Sequence, residues 1–263
     1  WLWPLKLPFL LANRLAVTTV NRLCAALDRL PHPGILTLGN MFCGYACVLY
    51  AMRGHLDTAA PLLGIAMVLD MFDGRIARMT GTTSAFGLEF DSLADVISFG
   101  LAPAVLAFQW GLSELGRVGW AAGFIYVSAT AMRLARFNIQ TIAQPDKRYF
   151  VGLPSPPAAG IVAATVFAWP FPLRGQVLAA GALLLMFVPA ALMVSTVRFR
   201  SFKDINYGVG SRFRLLPFAV LIVLIYSFPE TTLIVLAYGY LISPFVEMAI
   251  TRWRAKRELP PAT

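Results

Sequence analysis

Charge is scarce in this sequence. Of its 263 residues only 13% are Asp, Glu, Lys or Arg, while 58% are hydrophobic; a soluble domain carries about 25% charged residues. So little charge cannot cover a globular surface of this size, which excludes a water-soluble enzyme and a disordered chain. Histidine is nearly missing: His32 and His55 flank the first apolar run at opposite ends and cannot share a zinc site. The three cysteines, Cys24, Cys43 and Cys47, form no Cys-x-x-Cys pair. That excludes a disulfide scaffold, and Cys43 and Cys47 read as small residues in helix packing. No fixed-period repeat and no long polar linker interrupt the chain, so it reads as one membrane domain rather than a solenoid or a duplicated transporter.

What is present is apolar length. Runs over 35–52, 59–79, 91–112, 118–138, 154–172, 176–197, 215–229 and 231–250 suit helices crossing a hydrocarbon core about 30 Å thick, which takes about 20 residues. The fold expected is all-α, a polytopic membrane bundle of about eight transmembrane helices. Ahead of it, residues 1–32 carry Lys6, Arg14, Arg22 and Arg29 among Leu, Phe and Trp. This segment has no small-residue cleavage site and reads as an interfacial amphipathic helix over 9–30, not a signal peptide. Residues 33–197 make the expected catalytic membrane domain of six helices, and 198–263 an inner basic loop, two further helices and a basic tail.

The net charge is +9, from 22 Lys and Arg against 13 Asp and Glu. With both termini inside, 19 of the 22 bases fall on inner segments and only Arg53, Arg117 and Arg174 outside. Such a bias orients a membrane protein and meets anionic lipid; it does not call for nucleic acid.

Five of the 13 acids lie between positions 70 and 95: Asp70, Asp73, Glu89, Asp91 and Asp95. Asp70 and Asp73, three apart, share a helix face, as do Asp91 and Asp95, four apart. The stretch 79–90 is short enough for an antiparallel helix pair, so the two faces can meet. Four converging carboxylates need cations to balance them, and hard oxygen ligands without neighbouring His or Cys point to Mg²⁺ or Mn²⁺. Gly74, Ala77 and Gly87 on the same faces leave room for a bulky ligand or another backbone.

The pattern Asp70-x-x-Asp73-Gly74-x-x-Ala77-Arg78, eight residues, Gly87-x-x-x-Asp91-x-x-x-Asp95 resembles the complete signature of the CDP-alcohol phosphotransferase family. The resemblance implies membrane enzymes that move a phosphatidyl or related group from a CDP-linked donor to an alcohol and release CMP. It implies two divalent metals on Asp70, Asp73, Asp91 and Asp95, with Asp95 also the general base, and a homodimer. Asp70, Gly74, Ala77, Arg78, Ser84 and Gly87 would then meet the donor, with Ser84 toward the cytidine.

Three further segments are similar to the bacterial and archaeal phosphatidylserine synthase branch: Leu36-Thr37-Leu38-Gly39-Asn40, Arg133-Leu134-Ala135-Arg136-Phe137-Asn138 and Gly152-Leu153-Pro154-Ser155-Pro156. So is the continuation of the signature from Asp91 to Pro103. Gly34 departs from the Asn usual after Pro33. The branch implies CDP-diacylglycerol and L-serine as substrates in a prokaryotic cytoplasmic membrane, with the site on the cytoplasmic side. Thr37 and Asn40 become donor contacts; Arg133, Arg136, Asn138 and Ser155 become candidate acceptor contacts. Guanidinium groups suit a carboxylate acceptor or a donor phosphate, and positive-inside anchoring is the other role open to both arginines. A sister enzyme using glycerol 3-phosphate or an inositol phosphate shares the signature. A divalent-cation transporter is the alternative from another class, although its acids belong near the bilayer midplane.

Overall fold

The computed structural model describes residues 33–80, 84–143, 149–200 and 215–258. The expected interfacial helix over 9–30 lies outside them, as does most of the inner basic loop. The described residues are almost entirely helical. In order they form α1 (Pro33–Met52), α2 (Leu56–Thr80), α3 (Ala85–Asp95), a π-helical segment (Val96–Leu101) and α4 (Ala102–Trp110). After a short 3-10 turn come α5 (Arg117–Ala143), α6 (Ser155–Ala168), α7 (Gln176–Val194), α8 (Leu215–Ser227) and α9 (Pro229–Glu258). Among the described residues four stretches are long and apolar enough to cross a membrane: Gly34–Met52, Ala85–Trp110, Gln176–Val194 and Pro229–Thr251. The helices α2 and α5 have the length but carry the charged side chains of the site described below.

Local chemistry sets the elements that frame the site. The turn between α1 and α2 closes on Gly54, whose φ of 81° is left-handed. Gly54 N–H donates to the Ala51 carbonyl at 2.9 Å and His55 N–H to the Tyr50 carbonyl at 3.0 Å, the paired bonds of a Schellman cap. This tight reversal lays α2 back along α1. Ser84 caps α3: its Oγ accepts from Gly87 N–H at 3.0 Å, satisfying a first-turn donor. The helix therefore starts six residues before the expected position 91, and Asp91 and Asp95 sit inside it rather than at its mouth.

Directly after Asp95 the helix widens into the π segment, where Ala102 N–H reaches back to the Ile97 carbonyl. Pro103 follows; it has no N–H and its ring crowds the carbonyl four residues earlier, so a wide turn before it relieves the clash. The sixth helix, α6, is only 14 residues, about 21 Å at 1.5 Å per residue. It begins with Pro156 and Pro157 in its first turn, where their missing N–H groups cost nothing.

One feature departs from the all-helical expectation. Tyr149–Val151 and Arg198–Arg200 pair as a short antiparallel ribbon, Phe150 opposite Phe199. Gly152, at φ 85°, extends it by donating to the Val197 carbonyl at 2.8 Å. The main core fills the space between α2, α4, α5, α6 and α7, with Leu63, Leu106, Tyr126, Ile161, Val162 and Met186 sealed inside.

Candidate active site

The site forms where α1, α2, α3, α5 and α6 meet. Asp70 from α2 and Asp91 and Asp95 from α3 come together with one carboxylate oxygen each inside a 4.8 Å cluster. The i, i+3 and i, i+4 spacings put them on facing stripes, as the sequence suggests. Asp73, one turn beyond Asp70, stands just outside this triad. It is 5% exposed, and one of its oxygens accepts from the Thr37 hydroxyl on α1.

Three carboxylates this close repel on the order of 3 kcal/mol per ionised pair at an effective dielectric of about 20. The buried guanidinium of Arg133 acts on both Asp70 and Asp95. Among the described side chains one such cation faces four aspartates, which leaves a strong demand for further positive charge. Asp73 Oδ1 and Asp91 Oδ1 are also buried without a hydrogen-bond partner. Buried oxygens are rarely left so, and hard divalent cations are the partners that aspartate oxygens fit. The donor set thus matches Mg²⁺ or Mn²⁺, with no histidine or cysteine ligand among the described residues.

A second layer holds the carboxylates. Asn40, fully buried on α1, donates from Nδ2 to Asp95 Oδ1 at 3.3 Å. The backbone carbonyl of Asn40 accepts from Ser98 Oγ, in the π segment, at 3.0 Å. One turn along α1, Gly44 lets the backbones touch. A Cβ there would lie 2.7 Å from Ser98 Cα and 2.6 Å from its Oγ, closer than real side chains come. Gly44 and Ser98 are thus positioning residues that the sequence reading did not single out. Their signal is faint, a small residue four after Asn40 and a serine three after Asp95.

The other expected site residues divide. Arg133 on α5 donates to Ser155 Oγ at 2.5 Å and lies 5.8 Å over the Phe137 ring, so it faces the carboxylates and the start of α6. Arg136 turns elsewhere. Its guanidinium donates to the carbonyls of Val151 at 2.8 Å, Met193 at 3.2 Å, Val194 at 3.3 Å and Ser195 at 3.5 Å. It clamps the end of α7 to the ribbon. Asn138 does not end its helix, which runs on to Ala143; its Nδ2 donates to Ser92 Oγ on α3 at 3.0 Å. Gly87 has a local reason beside its place in the motif, because a Cβ there would stand 3.1 Å from the capping Ser84 Oγ. Gly74 is half-buried on α2; the side chains of Ala77 and Arg78 lie outside the described set.

Residues 30–202 match the profile of the CDP-alcohol phosphatidyltransferase family, spanning α1 to the second ribbon strand and every described site residue. The chain belongs to this family. Among relatives of the CDP-alcohol phosphatidyltransferases, the chain is similar to the CDP-diacylglycerol–serine O-phosphatidyltransferase of Helicobacter pylori. The two are 39% identical over 182 residues, 67% of this chain and 75% of the relative. The enzyme of the same name from Bacillus subtilis is 33% identical over 171 residues, 65% of this chain and 90% of the relative. The archaetidylserine synthase of Methanothermobacter thermautotrophicus is 33% identical over 169 residues, 64% of this chain and 68% of the relative.

Proposed function

We propose that this protein is a CDP-diacylglycerol–serine O-phosphatidyltransferase. The observation that carries the serine acceptor is the buried Arg133–Ser155 pair beside the aspartates. A guanidinium there suits an acceptor that brings its own carboxylate. The relatives named above all carry serine in their names.

In the reaction the serine hydroxyl oxygen attacks the phosphorus attached to diacylglycerol, and the bond from that phosphorus to the bridging oxygen breaks. CMP leaves with the bridging oxygen. The hydroxyl proton passes to Asp95, the general base of this reading, because an alcohol is a weak nucleophile until a carboxylate takes its proton. Asn40 orients that carboxylate through Oδ1. Asp70, Asp73, Asp91 and Asp95 would hold two Mg²⁺ or Mn²⁺ ions, which when bound offset charge on the diphosphate. Thr37 keeps Asp73 turned toward the site. Arg136 supports the site from behind by fixing the α7–ribbon junction.

The same reading has eight membrane crossings, α3 and α4 together making one. The site and both termini face the cytoplasm, and the enzyme works as a homodimer. The 19 inner bases support the orientation. The test is CMP release from CDP-diacylglycerol by purified protein with Mn²⁺ or Mg²⁺. Release that requires L-serine is expected; release only with glycerol 3-phosphate or an inositol phosphate moves the protein to a sister activity. Metal flux into liposomes without CMP release from any alcohol defeats the enzyme reading.

A further inference from the structure

The guanidinium of Arg133 is held from more than one helix. Ser155 Oγ, at the start of α6, accepts from its Nη1 at 2.5 Å, and the Phe137 ring of its own helix lies 5.8 Å away. A further neighbour comes from α9, where Tyr240 and Arg133 interact electrostatically. The packing brings Tyr240 there. Together with Pro157, two residues after Ser155, it lines a cavity between α2, α6 and α9. Its ring also packs on that of Phe199, fully buried in the second ribbon strand, at 5.9 Å and 32° between planes. Two residues earlier, the Tyr238 hydroxyl and Thr165 Oγ1 hydrogen-bond at 2.9 Å and pin α9 to α6. All of α9 lies beyond residues 30–202, the part of the chain that matches the family.

We propose that Tyr240 is a positioning residue for Arg133, through which α9 tunes the protein's selectivity for its acceptor. This role rests on the serine reading above, in which Arg133 meets the acceptor carboxylate. An arginine carries five N–H donors in a planar fork on a flexible stem, so the groups around it decide which edge is left for a ligand. Ser155 occupies one N–H and Phe137 lies against the guanidinium, while Asp70 and Asp95 attract the same cation. A phenol oxygen offers lone pairs without a full charge. Tyr240 can therefore orient the fork and leave it cationic for a carboxylate, whereas an acidic side chain in its place would neutralise it. Holding such a group by its neighbours is what gives a binding site its precision. The aspartate signature is shared by enzymes with other acceptors, so selectivity needs residues outside it. Tyr240 is such a residue, and its contact with Phe199 fixes where it stands.

Tyr240→Phe supplies the test, because it removes the hydroxyl and keeps the ring against Phe199. CMP release from CDP-diacylglycerol by the full chain is followed as L-serine is varied, alongside thermal unfolding in detergent. The expected result is a KM for serine raised about tenfold or more, the scale of one hydrogen bond to a charged group. The kcat, the KM for CDP-diacylglycerol and the unfolding temperature should stay near the parent's. A double-mutant cycle with Arg133→Ala then isolates the route. In that background Tyr240→Phe should change the KM for serine by less than about twofold, since nothing is left to position. Arg133→Lys, which keeps the charge and loses the fork, takes the place of the alanine variant if that has no measurable turnover. An unchanged KM for serine in Tyr240→Phe overturns the proposal. So does a cycle in which the two effects multiply in full, or a loss of stability with kcat and both KM values shifted together. Serine-dependent release in the parent with any of these outcomes defeats the positioning role alone. Release in the parent that does not require L-serine defeats the serine reading, and this role with it.

Discussion

Gly44→Ala tests whether the α1 crossing sets the catalytic geometry. The new methyl would meet Ser98 Cα at 2.7 Å, and ordinary van der Waals contact begins at 3.4 Å. The helix α1 must therefore withdraw from the π segment by about 0.7 Å, because the obstruction is backbone and cannot rotate aside. Asn40 lies one turn away on the same face, and its bond to Asp95 is already 3.3 Å. The same displacement carries that contact to about 4 Å, beyond hydrogen-bond reach. Overpacking of this kind costs about 1–3 kcal/mol of stability. Misplacement of a reacting group by about 1 Å costs up to about 100-fold in rate. The expected outcome is a kcat for CMP release reduced about 10- to 100-fold, with a lowered unfolding temperature and manganese binding largely retained. A variant with kcat within about twofold of the parent and unaltered stability would refute the claim that this close crossing positions Asp95.

Three further outcomes follow from the same geometry. Thr37→Val removes the hydrogen bond to Asp73 and should weaken Mn²⁺ binding or activity by about 10- to 100-fold, the usual cost of losing such a ligand support; Thr37→Ser should keep it, and Mn²⁺ titration by electron paramagnetic resonance reads the difference. Arg136→Ala should cost about 1.5–3 kcal/mol or more in stability, since hydrogen bonds from a charged donor are lost. It should leave the KM for serine near that of the parent, whereas Arg133→Ala should raise that KM; equal effects on KM would collapse the division of labour between the two arginines. Asp95→Asn should lower kcat by about 10²- to 10⁴-fold, the range for a general base, while Mn²⁺ still binds. Near-parent turnover would remove Asp95 from that role.

The aspartate cluster was legible in the sequence because helical periodicity is local. Spacings of three and four put Asp70 with Asp73 and Asp91 with Asp95 on shared faces, and a short connection brings the faces together. The apolar runs likewise locate the helices, although the start of α3 moved to Ala85 because Ser84 caps it. Partners distant in sequence were not legible. Thr37 meets Asp73 across 36 positions, Asn40 meets Asp95 across 55 and Ser98 meets the Asn40 carbonyl across 58. Nothing in Arg133 and Arg136, three apart on one helix, says which reaches the carboxylates and which clamps carbonyls. The ribbon joining residues 149–151 to 198–200 was hidden because three-residue strands carry too short a pattern to read.

By itself, then, the sequence determined that this is a helical membrane protein with a carboxylate-rich site, since composition and helical period act within a few turns of chain. Only the tertiary structure decided which aspartates form the close triad and which arginine serves them. Those outcomes depend on how helices cross. Crossing is set by contacts such as Gly44 against Ser98, where the absence of one methyl group lets two backbones approach.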